Sequence, residues 1–126
     1  MIFGIGTDIV HIPRMQSLLK KHGDKIAQRI LSDAEFDAFQ QASNQAAFLA
    51  KRFAAKEATA KALGTGFRKG LSLRHIAVSN DQQGKPELHF FERGSELLTE
   101  FNIGRCMISL SDEKDYAVAF VTLMEQ

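Results

Sequence analysis

Glu57 and Lys61 stand four residues apart in the most alanine-rich stretch of this sequence, and Asp8 follows a short apolar run near its start. A glutamate and a lysine at that spacing share one side of a helix and form, at the least, a surface ion pair worth a few tenths of a kcal/mol. Their surroundings point further. On a helical wheel at roughly 100° per residue, Ala46, Ala47, Ala50, Ala54 and Ala58 fall on one side with Glu57 and Lys61 among them. Arg52 and Lys56 point to the opposite half. A stripe of small residues lets a neighbour approach closely, so a carboxylate within it must be paired, hydrogen-bonded or bound to metal. A carboxylate beside an ammonium suits a site that takes a cation and an anion together, most commonly a divalent metal with a phosphate. Asp8 comes after the apolar run with only Gly6 and Thr7 between, which reads as the end of a strand. If that strand lies beside the helix, Asp8 and Glu57 share one Mg²⁺, an ion that takes one or two protein carboxylates and leaves its other positions to water and phosphate. A helix cap or turn residue is the alternative for Asp8.

Other patterns carry less. Gly64-Thr65-Gly66-Phe67-Arg68-Lys69-Gly70 resembles a phosphate loop but lacks the Walker spacing and follows a helix instead of opening one. Gly64 reads as a helix stop, with Arg68 and Lys69 near enough to touch a ligand. His11, His22, His75 and His89 show no zinc spacing with one another or with Cys106. No G-x-S-x-G surrounds Ser109 or Ser111. The ten Phe are read as core, and one Tyr with no Trp leaves little with which to stack on single-stranded nucleic acid.

These residues need elements to hold them. Residues 2–10 read as a short strand, and 12–22 as a helix with Pro13 in its first turn and Gly23 as its stop. Ser32 or Asp33 caps a short helix through about Phe39. Residues 44–63 are the strongest helical segment: eight of the twenty are Ala, none is Gly or Pro, Asn44 is available as cap, and Gly64 ends it. Residues 76–78 and 88–91 read as strands around a polar turn, 92–101 as a short helix. Residues 106–110 and 116–121 read as an antiparallel hairpin. Helices lead and strands follow, apart from the first strand, which favours α+β over a doubly wound sheet.

Composition sets the class. The chain has 126 residues, 44% hydrophobic and 25% charged, which suits one globular domain and excludes disorder and collagen-like repeats. Its single Cys excludes an internal disulfide and points to a reducing, cytoplasmic setting. No apolar run approaches the ~20 residues of a membrane span, and the first residues make a poor signal peptide. The net charge of +1 conceals an uneven distribution. Residues 11–30 hold Arg14, Lys20, Lys21, Lys25 and Arg29 against Asp24, a local +4. Residues 51–74 hold Lys51, Arg52, Lys56, Lys61, Arg68, Lys69 and Arg74 against Glu57, a local +6, and residues 75–126 come to −5. Such asymmetry points to an anionic partner, against the bland alternative of solvated helix faces.

Three segments together resemble a known family. They are Gly4-Ile5-Gly6-Thr7-Asp8-Ile9-Val10, Phe53-Ala54-Ala55-Lys56-Glu57-Ala58-Thr59-Ala60-Lys61-Ala62-Leu63-Gly64, and Ser109-Leu110-Ser111-Asp112 with Tyr116-Ala117. They resemble the bacterial holo-acyl-carrier-protein synthases, the short single-domain phosphopantetheinyl transferases, over essentially the whole chain. The resemblance implies an α+β phosphopantetheinyl transferase fold spanning residues 1–126, with one long central helix packed on a small, mainly antiparallel sheet, assembling as a homotrimer with sites between subunits. It implies Mg²⁺-dependent transfer of 4′-phosphopantetheine from coenzyme A to a serine of apo-acyl carrier protein, releasing adenosine 3′,5′-bisphosphate and supporting fatty acid biosynthesis. Asp8 and Glu57 would bind the metal. Lys61 would lie against the phosphates, and Glu57, directly or through a metal-bound water, would take the serine proton. Arg52, Gly64 and Gly66 would join Lys61 around coenzyme A. Many members carry His where this chain has Asp112, so no ligand role passes to that position, and Arg52 or another base is left to meet the adenosine 3′-phosphate. Arg14, Lys20, Lys21 and Lys25 would form a docking face for an acidic carrier protein, with Arg14 and Lys21 as leading pair. Two other classes compete. A non-enzymatic anion-binding module explains the basic clusters but not Glu57, and an oligomerisation domain explains the alanines but not Glu57 and Lys61 together.

Overall fold

The computed structural model describes all 126 residues. Strand β1 (Ile2–His11) runs into helix α1 (Ile12–His22), followed by α2 (Asp24–Ile30), α3 (Asp33–Gln41) and the long α4 (Gln45–Leu63). A single 3-10 turn at Leu73–His75 leads to β2 (Ile76–Asn80) and β3 (Pro86–Phe90); then come α5 (Arg93–Glu100), β4 (Ile103–Asp112) and β5 (Tyr116–Glu125). The α+β reading stands. Strands β1, β5 and β4 form one antiparallel sheet in that order, and β2 and β3 form a separate antiparallel pair. The hairpin of β4 and β5 sets Leu110 opposite Ala119.

Local chemistry explains the boundaries. Ser32 caps α3 in a full capping box with Glu35, and Asn44 caps α4 by accepting from the Ala47 amide. Gly64 ends α4 in the left-handed conformation, at φ 81°. Gly23 does stop α1, but a seven-residue helix, α2, begins at once on its far side. Too short to show a periodic apolar stripe, α2 leaves no pattern in the sequence.

Helix α4 lies across β1 and β5 and is the axis of the core. Ala50, Ala54, Ala55, Ala58 and Ala60 have no solvent exposure at all. The aromatic residues are pushed outward as a result. Phe39 alone of the ten Phe is fully buried; most pack half-buried against the core, and Phe91 and Phe120 are exposed. The reading of the phenylalanines as core is corrected at Phe91 and Phe120 alone; the others lie in the core or pack against it, most of them half-buried because helix backbone and alanine fill its centre.

Lys56 departs from the charge analysis as well. It points to the half opposite Glu57, and that half is also interior, so Lys56 is entirely buried. Its ammonium donates to Glu35 Oε1 at 2.6 Å, to the Ile30 carbonyl at 2.7 Å and to the Leu73 carbonyl at 3.0 Å, using all three of its protons. Burial pushes its pKa down, opposed by Glu35. Glu35 in turn accepts from the amides of Ser32 and Val78. The pair therefore ties α4 to α3, β2 and the end of α2, and one charge of the basic segment faces inward.

The other face of the β1-β5-β4 sheet has nothing packed on it. Ile5, Ile9, Met107, Val118 and Phe120 are exposed there, interleaved with Thr7 and Ser109.

Candidate active site

The site begins with two glycines. A Cβ built on Gly6 would lie 1.9 Å from the carbonyl oxygen of Ala58, and one on Gly4 would lie 2.1 Å from that of Ala62. No side chain fits, so the backbones of β1 and α4 lie against each other. Asp8 follows two residues along the same face. It is not at the end of the strand, as its spacing from the apolar run implied, and it caps no helix. It pairs with Ala119 within β1, which continues because Ile9 and Val10 find partners in Val118 and Ala117.

The approach brings Asp8 to the last two turns of α4. Lys61 donates to Asp8 Oδ1 at 3.1 Å and to the Thr7 carbonyl at 3.0 Å. Glu57, one turn earlier, opens with Asp8 into a cavity of about 440 Å³, also walled by Arg14, Met15, Ile26, Arg29 and Phe53. The Glu57 carboxyl is pushed up in pKa, first by burial and then by the negative charge of Asp8, with Lys61 pulling it down. Two carboxylates thus face one space, with the half-exposed Lys61 held on Asp8. No third His, Cys, Asp or Glu joins them. That donor set, all oxygen and two-carboxylate, fits a hard divalent cation that keeps most of its shell for water and phosphate, and does not fit zinc.

A second cavity, of about 250 Å³, opens on a different part of α4. Phe48, Lys51, Arg52, Asn80, Pro86 and Asp112 line it, and it shares no wall residue with the first. Arg52 is 8% exposed, with its guanidinium 4.6 Å over the Phe48 ring. Its Nε is buried without a hydrogen-bond partner, 3.8 Å from Glu35 Oε2, and its one side-chain hydrogen bond, to Asn80 Oδ1, is long at 3.5 Å. Burial pulls its pKa down and Glu35 pushes it back up, while the guanidinium keeps its charge. A buried cation with unspent donors on a cavity wall is what an anion requires. Lys51 stands beside it, 3.7 Å from Asp112 in a half-exposed pair.

The structure brings together Asp8, Glu57 and Lys61, and sets Arg52 in a cavity of its own. Gly64 and Gly66 follow α4 at positive φ. Arg14 walls the carboxylate cavity, and Lys25 walls the adjoining surface with Leu18, His22 and Arg29. Lys21 is exposed and belongs to neither wall. Arg29, one of the bases of residues 11–30, reaches the cavity wall from α2, which leaves no pattern in the sequence. Glu35 carries no signal in the sequence, since a carboxylate in the first turn of a helix is ordinary.

Residues 4–121 match the model of the 4′-phosphopantetheinyl transferase superfamily. The holo-[acyl-carrier-protein] synthase of Nitrosococcus oceani is 51% identical over 126 residues, all of this chain and 82% of that protein. The crystal structure of the holo-[acyl-carrier-protein] synthase of Neisseria meningitidis superposes with a TM-score of 0.94 at 48% identity, covering 99% of this chain and 100% of that one. The Bacillus anthracis holo-(acyl-carrier-protein) synthase in complex with CoA (3′,5′-ADP) superposes at 0.84 with 38% identity, over 100% and 99% of the two chains.

Proposed function

Since this chain belongs to the 4′-phosphopantetheinyl transferase superfamily, we propose that it transfers the 4′-phosphopantetheine group of coenzyme A to a serine hydroxyl of an acidic apo-acyl carrier protein, releasing adenosine 3′,5′-bisphosphate. The observation that carries this reading is the pairing of Asp8 and Glu57 on one cavity with Lys61 bridging back to β1.

Asp8 and Glu57 would hold Mg²⁺, which when bound neutralises charge on the diphosphate and fixes its orientation. Lys61 sets its ammonium beside these carboxylates, where it stabilises the charge that develops on the departing phosphate. Glu57 takes the proton of the attacking serine. Arg52, with Lys51, receives the adenosine 3′-phosphate. The Lys51–Asp112 pair is exposed enough to cost little when Lys51 turns to a phosphate. Gly64 and Gly66 let the chain after α4 pass close to the ligand. Arg14 and Arg29 at the cavity mouth, with Lys21 and Lys25 nearby, meet the acidic carrier, while Leu18 and Ile26 between them offer an apolar seat.

The assembly we propose is a homotrimer. The apolar outer face of the sheet supports it, because a surface of Ile5, Ile9, Met107, Val118 and Phe120 is covered by a partner in stable proteins. The two cavities, which share no wall, support it too: one coenzyme A reaches a diphosphate site on one copy and a 3′-phosphate site on the next. No helix is long and apolar enough to cross a membrane, and we place the reaction, a step in fatty acid biosynthesis, in the cytoplasm.

Incubation with apo-acyl carrier protein, coenzyme A and Mg²⁺, read by intact mass spectrometry, tests the reading. The carrier should gain one phosphopantetheine, and the gain should vanish with chelator and with Glu57→Gln in a folded protein. Absence of any gain by the unmodified protein refutes the activity. Near-normal turnover by the Gln variant refutes the role of Glu57.

A further inference from the structure

We infer that Glu35, together with Phe48, is a positioning residue: it sets the direction in which Arg52 presents its guanidinium to the second cavity. The inference rests on the proposed coenzyme A reading of that cavity and deepens it.

Three observations carry the inference. First, Arg52 is poorly held by hydrogen bonds. Its Nε has no partner and its Nη2 has one long contact, so something else must fix a side chain with four rotatable bonds. Second, the two groups that do flank it are both in place without an anion. Glu35 Oε2 lies 3.8 Å from Nε, and the Phe48 ring lies under the guanidinium carbon at 4.6 Å. Third, Glu35 itself cannot turn. Oε1 accepts from Lys56 Nζ and the Ser32 amide, and Oε2 accepts from the Val78 amide. A carboxylate held by three donors from α4, the α3 cap and β2 is a fixed reference point. Arg52 is thereby oriented without its donors being consumed, which leaves them for a ligand.

This arrangement separates orientation from charge. Glutamine at position 35 would place an amide donor against one of the donors named above, and the side chain would lose its fixed pose. It would also remove a negative charge next to Arg52. If charge alone mattered, the cavity would bind a phosphate more tightly. If orientation matters, binding weakens despite the more positive field.

Steady-state kinetics of the full-length protein with coenzyme A and with 3′-dephospho-coenzyme A distinguish these cases. Glu35→Gln should raise KM for coenzyme A about tenfold relative to KM for 3′-dephospho-coenzyme A, the scale of one charge-assisted hydrogen bond. Any loss that it causes through Lys56 and the setting of α4 falls equally on the two substrates, so the ratio of the two KM values is what the inference moves. A fall in KM for coenzyme A, or an equal loss on both substrates, overturns the inference. Because Glu35→Gln also disturbs Lys56, Phe48→Leu is measured beside it. That residue is half-buried, leucine keeps most of its contacts, and the same selective rise in KM is expected. An unchanged KM for Phe48→Leu at unchanged melting temperature also counts against the inference. Arg52→Ala is the reference: if it discriminates between the two substrates no differently from the unmodified enzyme, it is the placement of the 3′-phosphate that fails, while transfer itself continues.

Discussion

Gly6→Ala should damage both stability and catalysis, although the added group is one methyl. The Cβ would lie 1.9 Å from the Ala58 carbonyl oxygen and 2.7 Å from the Ala62 amide nitrogen, both backbone atoms of α4. Restoring a contact of 3.4 Å to the oxygen requires a displacement of about 1.5 Å, and neither atom can rotate away. Helix α4 must lift from β1, and the alanines that fill the interface have no longer side chains to close the gap. Overpacking of this kind costs about 3 kcal/mol or somewhat more. At about 4 °C per kcal/mol for a domain of this size, the melting temperature should fall by about 12 °C. The same displacement separates Glu57 and Lys61 from Asp8, and a misplacement of about 1 Å costs about a hundredfold in rate. Calorimetry and the phosphopantetheine transfer assay on one preparation measure both. Gly84→Ala is the control. Unlike Gly6, Gly84 has positive φ, and nothing lies within 4 Å of its Cβ, so only left-handed strain of about 1 kcal/mol is expected, with a fall in melting temperature of about 4 °C. A Gly6→Ala protein that melts within about 3 °C of the unmodified one and turns over normally would refute the account of how Asp8 and Glu57 are brought together.

Three further outcomes follow from the same geometry. Lys56→Ala should destabilise the fold by about 3 kcal/mol in urea titration, because it leaves Glu35 buried with no cation nearer than Arg52 Nε at 3.8 Å; a loss below about 1 kcal/mol would mean that the pair is solvated. The KM for carrier protein should rise several-fold between about 0.05 and 0.3 M salt while that for coenzyme A changes less, since Arg14, Lys25 and Arg29 act through a screened field; equal salt sensitivity would count against electrostatic docking. Phe120→Glu, on the exposed face of the central strand β5, should yield a folded monomer by analytical ultracentrifugation with little transfer activity; an intact oligomer would remove that sheet face from the interface.

Much of this fold was legible because its elements announce themselves in short-range chemistry. Asn44 and Gly64 bound the long helix, Pro13 and Gly23 bound the first, and the alternation in residues 106–121 marks the hairpin. Glu57 and Lys61 were legible for a different reason, as charges inside a stripe of alanines, while Asp8 was legible only as a carboxylate after an apolar run, at a strand end that the structure moves to mid-strand. What remained hidden depends on long-range pairing. Glu35 and Lys56 are 21 residues apart, and each taken alone looks like a solvated helix residue. Arg29 lies on a seven-residue helix with no periodic signature. The meaning of Gly4 and Gly6 was also out of reach, because two glycines in a strand show that something passes close but not what. Only with Ala58 and Ala62 seen opposite them does the spacing acquire its sense.

Lys56 and Glu57 are adjacent, and the reason they do such different things is the helix between them. Successive residues point about 100° apart, so the first is driven into the space between α3 and β2 and the second to the edge of β1. The fully neutralised Lys56–Glu35 pair fixes the rotation of α4 about its axis, because three acceptors from three segments must meet one ammonium. With that rotation fixed, Glu57 has no freedom to retreat from Asp8, and its carboxyl is pushed up in pKa first by burial and then by the charge of Asp8. The glycines of β1 set the distance and the buried pair sets the angle. A site that keeps two negative charges side by side needs both constraints, since relaxing either one would let the carboxylates part.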